Sequence, residues 1–128
     1  MKIILGGRGS GKTAELIRHS AATQTYIMVN NQTKARYLAD KAKAMGIDNM
    51  PYPVTWKEYC RSDKFTGSSI REKGLLIDDL DMLLRDIFLG IPIHGVTMTS
   101  YDVDKLNDRI DWTKKNPYID WEDLNERR

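Results

Sequence analysis

A short glycine-rich stretch near the start of the chain carries the residue types that bind phosphate. Residues 6–13 read GGRGSGKT, which satisfies the pattern G-x-x-x-x-G-K-[ST] of a phosphate-binding loop. Glycine lets the backbone turn sharply and point several N–H groups at one anion. Lys12 can reach the β- and γ-phosphates of a nucleoside triphosphate, and the Thr13 hydroxyl can ligate Mg²⁺. We therefore expect the nucleotide to be bound by Gly6, Gly7, Gly9, Ser10, Gly11, Lys12 and Thr13.

Two consecutive aspartates follow an apolar segment in the second half of the chain. Residues 75–77 (LLI) are uninterrupted apolar residues that predict a buried strand, and Asp78 and Asp79 come directly after them. A carboxylate at the end of such a strand can hold Mg²⁺ opposite a phosphate-binding loop, and we assign this role to Asp78. Asp79 could orient or deprotonate the attacking water. The alternative for both residues is an ordinary strand end without chemistry.

Hydroxyl side chains are concentrated in residues 96–100 (VTMTS). If residues 93–99 form a core strand, Thr99 at its end could contact the γ-phosphate or the attacking water. The alternative is an ordinary strand with its threonines on the outer face, and the residues themselves leave both readings open.

The elements that must position these residues alternate between strands and helices. Strands are predicted at residues 2–5, 25–30, 51–55, 75–77 and 93–99. Helices are predicted at residues 13–22, 32–45, 56–61 and 80–88, with Asn31 and Gly46 as caps of the second, and residues 62–73 are predicted to be a loop. This alternation predicts an α/β fold, a three-layer sandwich with a mostly parallel central sheet.

Length and composition agree with one globular domain. The chain has 128 residues, of which 41% are hydrophobic and 30% charged. We expect a core over residues 1–100 and a tail over residues 101–128 that packs on the core or on a partner. Cys60 is the single cysteine, and no apolar run approaches the roughly 20 residues of a membrane helix. With no secretory signal visible, a cytoplasmic protein without membrane contact is expected.

Charge is unevenly distributed along the chain. Up to Lys73 there are 13 Lys and Arg against 6 Asp and Glu, whereas from Gly74 onward there are 7 against 12. A basic first half suits a polyanion, either nucleotide phosphate or nucleic acid, although a solvated helix face explains it equally well.

These motifs together resemble those of P-loop NTPases whose catalytic carboxylate directly follows the Mg²⁺-binding aspartate. Their order is similar to that in the first RecA-like domain of superfamily 2 helicases and of phage terminase large subunits. The resemblance implies a P-loop NTPase (RecA-like) core, ATP with Mg²⁺ as the ligand, and Asp79, Lys12 and Arg8 as catalytic residues. Arg8 stands where terminases often carry an arginine that contacts the triphosphate. Asp79 departs from the family pattern, which has glutamate at this place.

The resemblance also bears on partners. Residues 27–30 and the helix after them look like the helicase segment that follows a nucleic-acid backbone, and Thr99 lies near the helicase coupling motif. A second RecA-like half, which normally supplies an arginine finger, is expected to be missing from this sequence. A protein partner or a second copy would then complete the active site, with Arg109, Arg127 or Arg128 as candidate fingers.

Three functions follow from these observations. The first is an ATPase linked to DNA transactions such as phage-like replication, recombination or packaging. The second is a nucleotide-binding adaptor or switch without significant hydrolysis. The third is a small-molecule or nucleotide kinase, which should carry an arginine-rich lid after the Mg²⁺ aspartate, whereas Arg85 alone follows Asp81 before an apolar helix.

Overall fold

Strands and helices alternate along the chain in the computed structural model, which describes residues 1–7, 9, 11–61, 69–99 and 102–105, the backbone alone at residues 69 and 102–105. The strands are β1 (Lys2–Leu5), β2 (Ile27–Val29), β3 (Val54–Thr55), β4 (Leu76–Ile77) and β5 (Asp102–Lys105). The helices are α1 (Lys12–Thr23), α2 (Gln32–Ala44), α3 (Trp56–Arg61), α4 (Ser69–Lys73) and α5 (Leu80–Ile87).

The chain divides into two compact units, and the first combines its beginning with its later part. This unit contains Met1–Lys12 and the chain from Met98 onward. Within it, β1 pairs with β5 in parallel, from Lys2 opposite Asp102 to Leu5 opposite Lys105. The glycine-rich loop of residues 6–11 directly follows β1 in this unit.

The second unit, Thr13–Thr97, is built on a sheet of three parallel strands in the order β3-β2-β4. Parallel neighbours need long crossover connections, and α2 supplies the one from β2 to β3. Since β2 and β4 are adjacent and parallel, the residues that follow each of them lie at the same edge of the sheet. This edge carries Asp78 and Asp79 after β4 and the first turn of α2 after β2.

Both faces of β2 are buried. Successive strand residues point to opposite faces, yet Ile27, Met28 and Val29 are all buried. Met28 packs in a cluster with Val54 of β3, Ile70 of α4 and Leu83 of α5. A strand covered on both sides is typical of a parallel sheet with helices packed on it, so the second unit has an α/β fold.

The start of α2 agrees with its predicted cap. The Asn31 side chain accepts a hydrogen bond from the backbone N–H of Lys34, at 2.8 Å, which satisfies one of the free donors in the first turn. At the other end, Gly46 has a φ of +78°, a left-handed conformation that favours glycine after a helix.

Two predicted segments differ from the structure. Residues 93–99 form no regular strand; Ile93 and Val96 are exposed, so the pleated, half-buried surface on which β-branched residues stabilise a strand is missing. The strand lies instead at Asp102–Lys105, where pairing with β1 outweighs its charged composition. The predicted loop at residues 62–73 contains α4, because Ile70 is buried in the Met28 cluster.

The predicted division into residues 1–100 and 101–128 stays a prediction. The beginning of that tail contributes β5, and residues 106–128 lie outside the described part of the chain. Among the helices of the described residues, none has the length and apolar character needed to cross a membrane.

Candidate functional site

The glycine-rich loop adopts backbone conformations that call for glycine. In the first unit, φ is +78° at Gly9 and +90° at Gly11, in the left-handed region that side chains with a Cβ rarely adopt. Of the other residues predicted to bind nucleotide, Gly6 and Gly7 are half-buried and precede α1, whose first residue is Lys12. Arg8 and Ser10 lie outside the described residues.

Thr13 and Asp78, the two predicted metal ligands, are in contact in the second unit. The Thr13 hydroxyl donates a hydrogen bond to Oδ1 of Asp78 at 3.3 Å, although 65 positions separate the two residues in the chain. Thr13 lies in the first turn of α1 and Asp78 directly follows β4, so a helix start and a strand end bring the two oxygens together.

Asp78 is held by the sheet and buried. Its backbone N–H donates to the carbonyl of Met28 at 3.3 Å, which extends the pairing of β4 with β2. The residue is only 5% exposed. Burial raises the pKa of the Asp78 carboxyl, and the neighbouring Asp79 charge adds to this; Lys34 and the Thr13 hydroxyl act in the opposite direction without cancelling it.

One oxygen of Asp78 lacks a hydrogen bond. Oδ2 is buried and has no hydrogen-bond partner among the described residues. Among the described residues its ion-pair partner is the Lys34 ammonium at 3.5 Å, which is too long for a strong hydrogen bond. A buried carboxylate oxygen in this state is open to a further cationic ligand.

Lys34 joins the two aspartates, and its role was not anticipated from the sequence. Its ammonium lies 3.0 Å from Oδ2 of Asp79, and its side chain is 25% exposed. Burial lowers the pKa of Lys34, but the hydrogen bond to Asp79 and the charges of both aspartates outweigh it, and the pKa rises. Lys34 is therefore charged at neutral pH.

The backbone of Asp79 is unusual. With φ of 53° and ψ of 64° it occupies the left-handed region at the start of α5, where its side chain accepts no capping hydrogen bond from a described backbone N–H. The carboxylate is turned to Lys34 instead. Left-handed backbone at a residue with a side chain is uncommon, although aspartate and asparagine tolerate it best.

Thr99, the remaining predicted site residue, is exposed and belongs to the first unit. Because residues 93–99 form no strand, the strand end that was predicted to present its hydroxyl is not formed. The predicted nucleotide contact of Thr99 is left without that support.

The residues at the edge of the sheet fit a magnesium ion. Mg²⁺ binds oxygen ligands and typically uses one or two protein groups, with water and substrate phosphates completing its shell. Thr13 and Asp78 supply two such groups, and Oδ2 of Asp78 is available. Within the described residues no group of three or more His, Cys, Asp or Glu side chains could hold a metal by itself.

Comparison with known protein families, characterised proteins and solved structures gives no match to this chain. The second unit is an α/β structure with a parallel sheet. At one edge of that sheet Thr13 contacts Asp78, and Lys34 contacts both Asp78 and Asp79.

Proposed function

We propose that this chain binds ATP with Mg²⁺ on a P-loop NTPase core of the RecA-like type, and that it is an ATPase. The contact between Thr13 and Asp78 carries this proposal. A threonine directly after a glycine-rich loop and an aspartate at a neighbouring strand end are the two groups that hold Mg²⁺ in such proteins. Each was predicted from a separate motif, and their side-chain oxygens lie 3.3 Å apart.

The other residues take their proposed roles from the loop. The N–H groups of Gly6, Gly7, Gly9, Ser10 and Gly11 would surround the phosphates, and the positive glycine φ angles support a sharply turned backbone. Lys12 would bind the β- and γ-phosphates, with Arg8 and Thr99 as further contacts. When bound, Mg²⁺ would offset the negative charge of the phosphates.

Hydrolysis would depend on Asp79. Asp79 directly follows the proposed metal ligand Asp78, and we propose that its carboxylate orients or deprotonates the attacking water. We further propose a cytoplasmic ATPase that acts on or beside DNA, with a protein partner or a second copy completing its active site.

One observation favours the second function, a nucleotide-binding adaptor or switch. The Asp79 carboxylate is engaged by the Lys34 ammonium at 3.0 Å. A carboxylate that is held in an ion pair is less free to turn toward an attacking water, so this arrangement would slow hydrolysis while leaving nucleotide binding intact.

Binding of ATP, measured by isothermal titration calorimetry with Mg²⁺ and with EDTA, tests the proposal. Thr13→Ala and Asp78→Asn should each weaken binding in Mg²⁺ at least about tenfold, or about 1.4 kcal/mol. In EDTA the two variants should differ little from the wild type. Thr33→Ala and Asp86→Asn are matched controls, because both residues are exposed on helices of the second unit.

The results separate the proposed functions. The metal role of Thr13 and Asp78 would be ruled out if both site variants bound ATP with unchanged affinity, or if the wild type bound ATP equally tightly with Mg²⁺ and with EDTA. Phosphate release that Asp79→Asn abolishes would identify the ATPase, and stimulation by single- or double-stranded DNA would link it to DNA. Mg²⁺-dependent binding without phosphate release in any condition would identify the adaptor.

A further inference from the structure

Lys34 lies between the two aspartates, and the proposed ATPase mechanism gives it no task. Its ammonium is 3.0 Å from Oδ2 of Asp79 and 3.5 Å from Oδ2 of Asp78. Asp78 Oδ2 is buried without a hydrogen bond to any described group, and the Lys34 ammonium is its ion-pair partner within the described part of the chain. Lys34 therefore provides the charge compensation of the carboxylate proposed to bind Mg²⁺.

The position of Lys34 is determined from three sides. Its backbone N–H is bound by the Asn31 side chain at 2.8 Å, which places the residue in the first turn of α2. Its ammonium is held by Asp79, and the same ammonium lies 5.2 Å from the centre of the Tyr37 ring, a cation–π distance. A lysine held in this way differs from a surface lysine that samples many rotamers.

We propose that Lys34 is a built-in counter-cation of the metal site, which competes with a divalent cation for Asp78. The inference rests on the proposed function, because it takes Asp78 to be a metal ligand. The two ion-pair distances support competition. The closer partner is Asp79, so the ammonium can give up Asp78 and still keep its ion pair.

Weak binding of free metal is the consequence. A positive charge within 3.5 Å of the ligand oxygen repels a divalent cation, whereas a metal that arrives with a triphosphate brings negative charge of its own. Lys34 would thus make metal binding depend on the nucleotide and keep the empty site neutralised.

Binding of Mn²⁺ to the full chain without nucleotide, followed by electron paramagnetic resonance of the free ion, tests the inference. Lys34→Met should bind Mn²⁺ about tenfold or more tightly than the wild type, since unit charges about 4 Å apart interact by about 1 kcal/mol even in water and the ion is doubly charged. Lys34→Arg keeps the positive charge and should stay within about twofold of the wild type. Lys41→Met is the matched control, because Lys41 lies on the same helix with its ammonium 5.9 Å from the same ring.

Asp78→Asn separates failure of the inference from failure of the proposed function. The counter-cation is supported if Lys34→Met binds Mn²⁺ tightly and if adding Asp78→Asn to Lys34→Met removes that tight binding. If Asp78→Asn lowers Mn²⁺ affinity but Lys34→Met leaves it unchanged or lowers it, the metal site stands and the counter-cation is refuted. If Asp78→Asn leaves Mn²⁺ affinity unchanged, both the metal site at Asp78 and the counter-cation role of Lys34 are refuted. Circular dichroism checks that each variant is folded, and Lys34→Gln replaces Lys34→Met if the latter is not.

Discussion

Replacing Asp79 by glycine and by alanine separates the conformational cost of its backbone from the loss of its ion pair. Both variants lose the carboxylate that binds Lys34, so the difference between them reports the backbone. At φ of 53° and ψ of 64° a residue with a Cβ is disfavoured by about 1–2 kcal/mol, whereas glycine is not. Glycine also has more conformational freedom in the unfolded chain, which lowers the free energy of unfolding of Asp79→Gly by about 0.5–1 kcal/mol.

The net expectation is that Asp79→Gly is more stable than Asp79→Ala by about 1 kcal/mol, which corresponds to about 4 °C in Tm for a chain of this size. Thermal and urea unfolding in EDTA, followed by far-ultraviolet circular dichroism, measure the difference. Asp40, exposed in the middle of α2, is the matched control, because there the alanine variant should be more stable than the glycine variant by about 0.5–1 kcal/mol, the reverse of the order at position 79.

The reasoning would be refuted by an alanine variant at position 79 that is as stable as the glycine variant. That result would show that the backbone relaxes out of the left-handed region once the ion pair with Lys34 is absent. The strain would then be a product of the ion pair and not of the turn between β4 and α5.

Two further predictions concern Asp78 and Asn31. Asp78→Asn should stabilise the metal-free protein at pH 7 by about 1 kcal/mol, because an amide can donate to Thr13 and accept from Lys34 without burying a charge. Burial and the Asp79 charge raise the folded-state pKa of Asp78, so the wild type loses stability as pH rises from the unfolded-state value of about 3.9 through the folded-state pKa. Urea unfolding in EDTA at pH 4 and pH 7 should therefore show that Asp78→Asn gains less stability over the wild type at pH 4 than at pH 7. If Asp78→Asn is less stable than the wild type at pH 7, the ion pair with Lys34 outweighs the cost of burying the charge. Asn31→Ala should lower the free energy of unfolding by about 1 kcal/mol by removing the cap of α2, while Asn31→Asp should lose little; equal loss in both would assign the effect to something other than the cap.

Local patterns were sufficient for much of the fold. The period of apolar residues and the capping residue Asn31 predicted α2 because both signals lie within a few positions of one another. Residues 93–99 were predicted wrongly for the opposite reason. Whether a β-branched segment forms a strand depends on a partner strand, and a partner is a property of the folded chain.

The candidate site was predictable only in part. Thr13 and Asp78 each belong to a recognisable motif, so their roles could be assigned before their contact was known. Lys34 belongs to no motif, and it meets Asp79 across 45 positions because β2 and β4 are neighbours. The one usable signal is that residues after adjacent parallel strands share an edge of the sheet, and it requires the strand order to be known first.

The parallel pairing of β1 with β5 has a consequence for how the protein is made. The strand that leads into the glycine-rich loop is synthesised before the other described strands, but its partner in the described structure begins 100 positions later, at Asp102. At synthesis rates of about 5–20 residues per second, β1 waits roughly 5–20 seconds for that partner. Meanwhile the three strands of the second unit, which all precede Asp78, have already emerged. The order of synthesis therefore favours a sheet that forms before the loop beside β1 is anchored.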